Sequence, residues 1–154
     1  MKLNLMLCLF SMFVLFSCKT NQTNSESNES KTEMNKNELV GVKWELEYMS
    51  PVNGKNVAQL FKIQKPYLKF VDNDKVAGNN GCNNISGAYS MDGNKITFET
   101  DKFAATRMFC EGLDETAFTG ILKTINNYEV INDGSKLILL TSDIHSMIFT
   151  KVEE

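Results

Sequence analysis

The run Tyr89-Ser90-Met91-Asp92-Gly93-Asn94-Lys95-Ile96-Thr97-Phe98-Glu99 sets the fold class. Two short stretches of strand-forming residues flank an Asp-Gly pair, and Asp-Gly tolerates the positive φ angles of a tight hairpin. The pattern returns where Tyr128-Glu129-Val130-Ile131 and Lys136-Leu137-Ile138-Leu139-Leu140 flank Asp133-Gly134. The second half of the chain therefore reads as antiparallel hairpins.

Outward from these hairpins the same logic holds. Between Val42 and Met49 the residues alternate, with Val42, Trp44, Leu46 and Tyr48 on one face and Lys43, Glu45 and Glu47 on the other. That is the period of a half-buried strand. Asn53-Gly54 marks a turn. Tyr67-Leu68-Lys69-Phe70-Val71 is a second strand, with Pro66 tolerable at its start. Asp72-Asn73-Asp74 turns the chain into Lys75-Val76-Ala77-Gly78. The last strand is Ser146 to Val152, with either Met147, Phe149 and Lys151 or Ser146, Ile148 and Thr150 facing inward. One helix interrupts the strands, from about Asp114 to Asn126. Ala117, Ile121, Leu122 and Ile125 make one apolar stripe, which Phe118 widens. Asp114 caps its start and Glu115 suits the positive end of its dipole. A sheet that curls toward closure hides its edges. The expected fold is mainly β: a small curved antiparallel barrel or half-barrel with one packed helix. Tyr89, Phe98 and Phe109 read as fillers of its core.

The N-terminal segment is of another kind. Lys2 precedes an apolar run from Leu3 to Phe16, and Leu15-Phe16-Ser17-Cys18 closes it. A positive start, an apolar stretch, a small residue and then cysteine read as a lipoprotein signal over residues 1–17, with Cys18 the lipidated residue. The run is shorter than the roughly 20 residues of a spanning helix. Several acyl chains on one cysteine anchor firmly, at about 0.8 kcal/mol per buried methylene. Cys8 would leave with the signal. Residues 18–38 join this lipid to the domain. Their Asn, Ser, Thr, Glu and Lys cannot bury enough surface to offset ordering, so they read as a flexible tether reaching roughly 65–70 Å when fully extended. The domain itself is residues 39–152, of a size that supports one core.

The segment Gly78-Asn79-Asn80-Gly81-Cys82-Asn83-Asn84-Ile85-Ser86-Gly87-Ala88-Tyr89 is dense in residues that accept unusual backbone angles. Ala105-Thr106-Arg107-Met108-Phe109-Cys110 follows later. With the early Trp44, the run Gly81-Cys82-Asn83, the run Thr106-x-Met108-x-Cys110, the helix after it and the Leu137-x-Leu139 strand, these resemble the META domain, the family of HslJ-like bacterial lipoproteins. The resemblance covers about residues 39–152. It implies a lipocalin-like β architecture with a packed helix, and an envelope location, with the outer membrane as the expected site, on its periplasmic face or at the surface. It also implies a broad link to envelope stress and antibiotic tolerance, and in one eukaryotic branch to virulence. It brings no established reaction and no active site.

Cys82 and Cys110 remain in the mature domain, in a compartment where disulfides persist. Either they are bridged, closing a loop worth roughly 3–4 kcal/mol in the chain-entropy model, or they pack as two buried free thiols. Without a Cys-x-x-Cys spacing a redox-catalytic pair is the weaker reading. His145 is the single histidine. With Cys82 and Cys110 it makes a three-ligand set with no close ligand pair. After Asp72 the calcium-loop register fails, because Gly78 stands at the seventh position and Asn83 at the twelfth. No nucleophile elbow occurs. Arg107 either holds an anion or partner or is a structural hydrogen-bonding arginine beside Cys110. The net charge of −3 is scattered, with no basic stripe for nucleic acid.

The expectation is a monomeric, noncatalytic envelope lipoprotein with no metal and no cofactor, held to the membrane through Cys18 and contacting an envelope protein. A small-ligand-binding barrel and a thiol–disulfide redox protein are the alternatives.

Overall fold

The computed structural model describes residues 38–114 and 116–153. The signal segment, Cys18, nearly all of the tether and Glu115 lie outside the described residues. Among the described residues nine strands form: β1 (Lys43–Met49), β2 (Tyr67–Phe70), β3 (Lys75–Asn79), β4 (Asn84–Asp92), β5 (Lys95–Phe98), β6 (Ala104–Ala105), β7 (Asn127–Ile131), β8 (Lys136–Thr141) and β9 (Ile144–Val152). They lie in the order β3-β2-β1-β9-β8-β7-β5-β4, and β3 pairs with β4 again, so eight strands close into an antiparallel barrel. The two-residue β6 adds to the first half of β4 through Ile85↔Ala105 and Ser86↔Ala104. The narrowest seam is β5 against β7, where Lys95↔Asn127 is the paired register. It is extended by Tyr128 N–H to Asn94 O (2.9 Å) and Ile96 N–H to Asn126 O (3.2 Å).

Both hairpins form, with their turns displaced from the Asp-Gly pairs. Asp92 pairs with Lys95, so Gly93-Asn94 is the central pair, and Gly93 alone takes a positive φ. Ile131 pairs with Lys136 around a four-residue turn in which Asn132, Asp133 and Gly134 are all left-handed. Asn53 and Gly54 are left-handed too, between bridged Val52 and Lys55.

The core follows the strand period. Trp44, Leu46, Leu68, Phe70, Val76, Ile85, Tyr89, Ile96, Phe98, Leu137, Leu139, Met147 and Phe149 are buried in one cluster. Of the two inward sets open for the last strand, Met147 and Phe149 enter the core cluster and Ile148 and Thr150 stay half-buried; Ser146 is also buried, at a register shift, and Lys151 at the strand's end is exposed. Phe70 and Tyr89 meet edge to face at 4.9 Å, and the Tyr89 hydroxyl donates to Asp72 O at 2.7 Å. The Trp44 indole N–H has no acceptor among the described residues, so packing alone holds the ring.

Simple alternation breaks in β9, where the register shifts between Leu139↔Met147 and Leu140↔His145, and in β1. A bulge in β1 sets Leu46 opposite Phe149 but Tyr48 opposite Ile148, so Glu47 is the extra residue. The phase flips beyond it: Met49 is buried and Tyr48, expected inside, is exposed. Glu47 fixes the bulge, because its carboxylate accepts from Lys136 Nζ and from the Thr150 hydroxyl at 2.6 Å. The Lys136 bond, then the Thr150 bond, hold this carboxyl below the usual range.

The helix is Thr116–Leu122, shorter than its stripe predicts. Past Lys123 the bonds tighten to i−3, from Thr124 N–H to Ile121 O and from Ile125 N–H to Leu122 O. Ile125 therefore stays in the core beyond the regular helix. Asp114 Oδ1 accepts from the Thr116 hydroxyl and N–H at 2.7 and 3.0 Å, which lowers its pKa. A second helix, Val57–Leu60, carries an Asn56/Gln59 capping box, a spacing legible in the sequence. A 3₁₀ turn spans Thr100–Lys102.

Gly87 on β4 is required by packing: a Cβ there would overlap the Phe103 ring, which leans over the strand against the core. Gly87→Val should cost about 1–3 kcal/mol by overpacking. The same change in a Phe103→Ala background should cost well under half as much in urea unfolding. Burial first, and then the Asp72 carboxylate, raise the Tyr89 pKa from 10.0 to about 12. The folded state thus keeps a phenol proton that the unfolded chain releases near 10. This contribution is intact below pH 10 and lost as pH rises through about 12. The stability of Tyr89→Phe should fall less than wild type across that window, measured by denaturant midpoint against pH.

Candidate functional site

The β3–β4 connection, Asn80-Gly81-Cys82-Asn83, is built by side chains standing in for backbone. Asn79 Oδ1 accepts from Gly81 N–H (2.7 Å), and Asn80 Oδ1 accepts from the N–H groups of Cys82 and Asn83 (3.1 and 2.7 Å). These are Asx turns, which explain the asparagine density. Gly81 has φ +100, and a Cβ there would strike the Phe61 ring.

Asn83 is fully buried and reaches across to the segment after β6. Its Oδ1 accepts from Met108 N–H (2.6 Å) and from the Thr106 hydroxyl (2.9 Å), while its Nδ2 donates to Met108 O (3.2 Å). The amide thus holds both polar groups of one peptide residue, as a neighbouring strand would. Thr106 completes the clamp: its N–H donates to Asn84 O and its Oγ1 accepts from Asn84 N–H (3.0 and 3.1 Å). Beyond Met108, Cys110 is disulfide-bonded to Cys82, with a Cα separation of 6.0 Å. Among the motif residues, Gly81, Cys82, Asn83, Thr106, Met108 and Cys110 therefore form one knot. The bond decides between bridged and free thiols. It also removes both cysteines from any thiolate ligand set, and Cys82 is only 3% exposed. His145 is exposed on β9.

Two expectations fail at this knot. Phe109 does not fill the core, because with Met108 and Cys110 both tied down its side chain is left outside, 89% exposed. Tyr89 and Phe98 do fill it. Arg107 is no structural hydrogen-bonding arginine. It is exposed and makes no hydrogen bond or ion pair among the described residues. The Met108 side chain is 53% exposed as well. Sequence pattern treats such apolar residues as core candidates, and the one clue to the contrary is their confinement between Thr106 and Cys110. Asp72 is a turn residue, its Oδ1 accepting from the N–H groups of Asp74 and Lys75 (3.1 and 2.8 Å).

Beside the knot, a groove of about 580 Å³ crosses the outer face of β2, β3, β4 and β6. Ala77, Gly78 and Ser86 make a small-residue floor, with Tyr67 and Lys69 on one side and Ala104 to Thr106 on the other. Gly78 allows the close approach to the Tyr67 carbonyl.

The META domain profile matches residues 37–154. The chain belongs to the META domain family. An NMR structure of a protein from Burkholderia xenovorans is similar to it in fold, with a TM-score of 0.61 at 20% identity, over 82% of this chain and 90% of that one. Comparison with the curated proteins gives no match. In this META domain the knot joins the two motif runs through the Asn83 amide, the Thr106–Asn84 pairing and one covalent bond.

Asn83→Ala should destabilise the domain by roughly 2–4 kcal/mol, from the lost hydrogen bonds to the Thr106 hydroxyl and to both backbone groups of Met108. Asn83→Asp should not restore stability, because a carboxylate cannot donate to Met108 O. Paired Cys82→Ser and Cys110→Ser should cost roughly 3–4 kcal/mol. Denaturant unfolding with and without reductant checks all three.

Proposed function

We propose that this META domain is a noncatalytic, lipid-anchored module of the bacterial cell envelope that works by contacting another envelope component. In this reading Cys18 carries the lipid, the outer membrane is the anchoring surface, and the mature protein is a monomer that contributes to stress or antibiotic tolerance. It binds neither nucleic acid nor a cofactor. The observation that carries the reading is the Cys82–Cys110 bond, which braces an exposed segment and is of a kind that persists in oxidising compartments. The lipoprotein-type segment ending at Cys18 supports the anchor. A core filled by fully buried Trp44, Phe70, Phe118, Tyr128 and Phe149 favours work done on the outer surface.

A second reading, small-ligand binding, draws on the outer groove with its small-residue floor. A ligand seated there would raise the melting temperature, and the rise would continue with the logarithm of its concentration above Kd.

Intact mass of the membrane-extracted protein tests the leading reading. A mass starting at Cys18 plus acyl chains is expected, with Cys82 and Cys110 alkylating only after reduction. An unacylated mass would remove the anchor. Cysteines that alkylate rapidly without reductant would favour the thiol–disulfide reading instead.

A further inference from the structure

Arg107, Met108 and Phe109 form an exposed tip. Burying a phenylalanine is worth about 1.5–3 kcal/mol, yet Phe109 is 89% exposed. The chain holds it in that state from both sides. Met108 is bonded through its N–H and its carbonyl to buried Asn83, and Cys110 is fixed by the disulfide. An aromatic presented on a braced backbone loses little further freedom on binding, and aromatic and arginine anchors dominate interface energetics.

The path of the chain bears on what meets this tip. The described residues begin at one end of the barrel, where Val40 bridges Phe70 and Gly41 N–H donates to Phe70 O at 2.8 Å. The knot lies at the other end of β2 and β3, beside Tyr67, Asn79 and Asn84. The chain therefore enters the described domain at the end away from the tip, and an anchor on the residues before it leaves the tip free to meet a partner. Charge narrows the partner further. Arg107 has no carboxylate partner among the described residues, and no ion pair joins it to Glu111 beyond the disulfide. The groove ends at Thr106, so a partner over the tip has adjoining surface to rest on.

We propose that the Arg107-Met108-Phe109 tip docks into an apolar pocket on another protein, with Phe109 inserted and a carboxylate at the pocket rim pairing with Arg107. This rests on the reading of the domain as an anchored interaction module.

The test places a photoreactive benzoyl-phenylalanine at position 109 of the full chain in cells, with exposed Ile144 as the control position. A discrete protein adduct is expected at 109 and not at 144. The purified partner should then lose about tenfold or more in affinity for Phe109→Ala and for Arg107→Glu, while Arg107→Lys keeps most of it. Unchanged melting temperatures would show that the variants fold. Lipid adducts, adducts to a second copy of the chain, no adduct at 109, or affinity unmoved by the substitutions would each overturn the proposal. A protein adduct at 144 alone would overturn this surface and leave the module reading standing. An unacylated mass would instead defeat the anchor on which the proposal rests.

Discussion

The Asn83 side chain is the constraint on which the rest of this surface depends. Its amide occupies the place of a strand beside Met108 and is itself fully buried. A buried amide is costly unless its groups are paired, and here donor and acceptor both find backbone. That requirement propagates. Asn83 must project from a loop tight enough to turn β3 into β4, so Asn79 and Asn80 close the turn with their own side chains and Gly81 takes the left-handed φ beneath Phe61. Thr106 must stand opposite Asn84, so β6 must run along β4, and Phe103 must cross over Gly87 just before it.

The disulfide and the clamp are complementary. The covalent bond limits the unfolded chain, whereas the amide bonds set the direction of the segment in the folded one. Either alone would leave a pivot at one end of Met108-Phe109. Together they hold the segment without burying it. The barrel behind it is closed by β3–β4 pairing and filled by aromatic rings, so chemistry available to a partner lies on its outer face and at its ends.

Much of this fold was legible because it rests on local signals. The hairpins around Gly93 and Gly134, the inward Trp44 and Leu46, and the helical stripe through Ile125 each follow from spacing alone. What was not legible depends on tertiary partners. The β1 bulge is held by Lys136 and Thr150, from strands remote in sequence, and it turns Tyr48 outward against its own alternation. The regular helix ends before its stripe because the last turn tightens onto i−3 carbonyls. Closure, as against a half-barrel, needed β3 to pair on both sides. The knot was legible as a pair of motifs and as two cysteines, but not as a clamp. Nothing in the pattern says that Asn83 reaches Met108, and without that contact Phe109 reads as core.

Docking through Phe109 requires that the segment around it be rigid while exposed. Backbone ¹⁵N relaxation of the purified domain measures this directly. Order parameters near 0.85 are expected for Arg107, Met108 and Phe109, matching the strands. Values below about 0.6 over these residues, with the strands rigid, would contradict it.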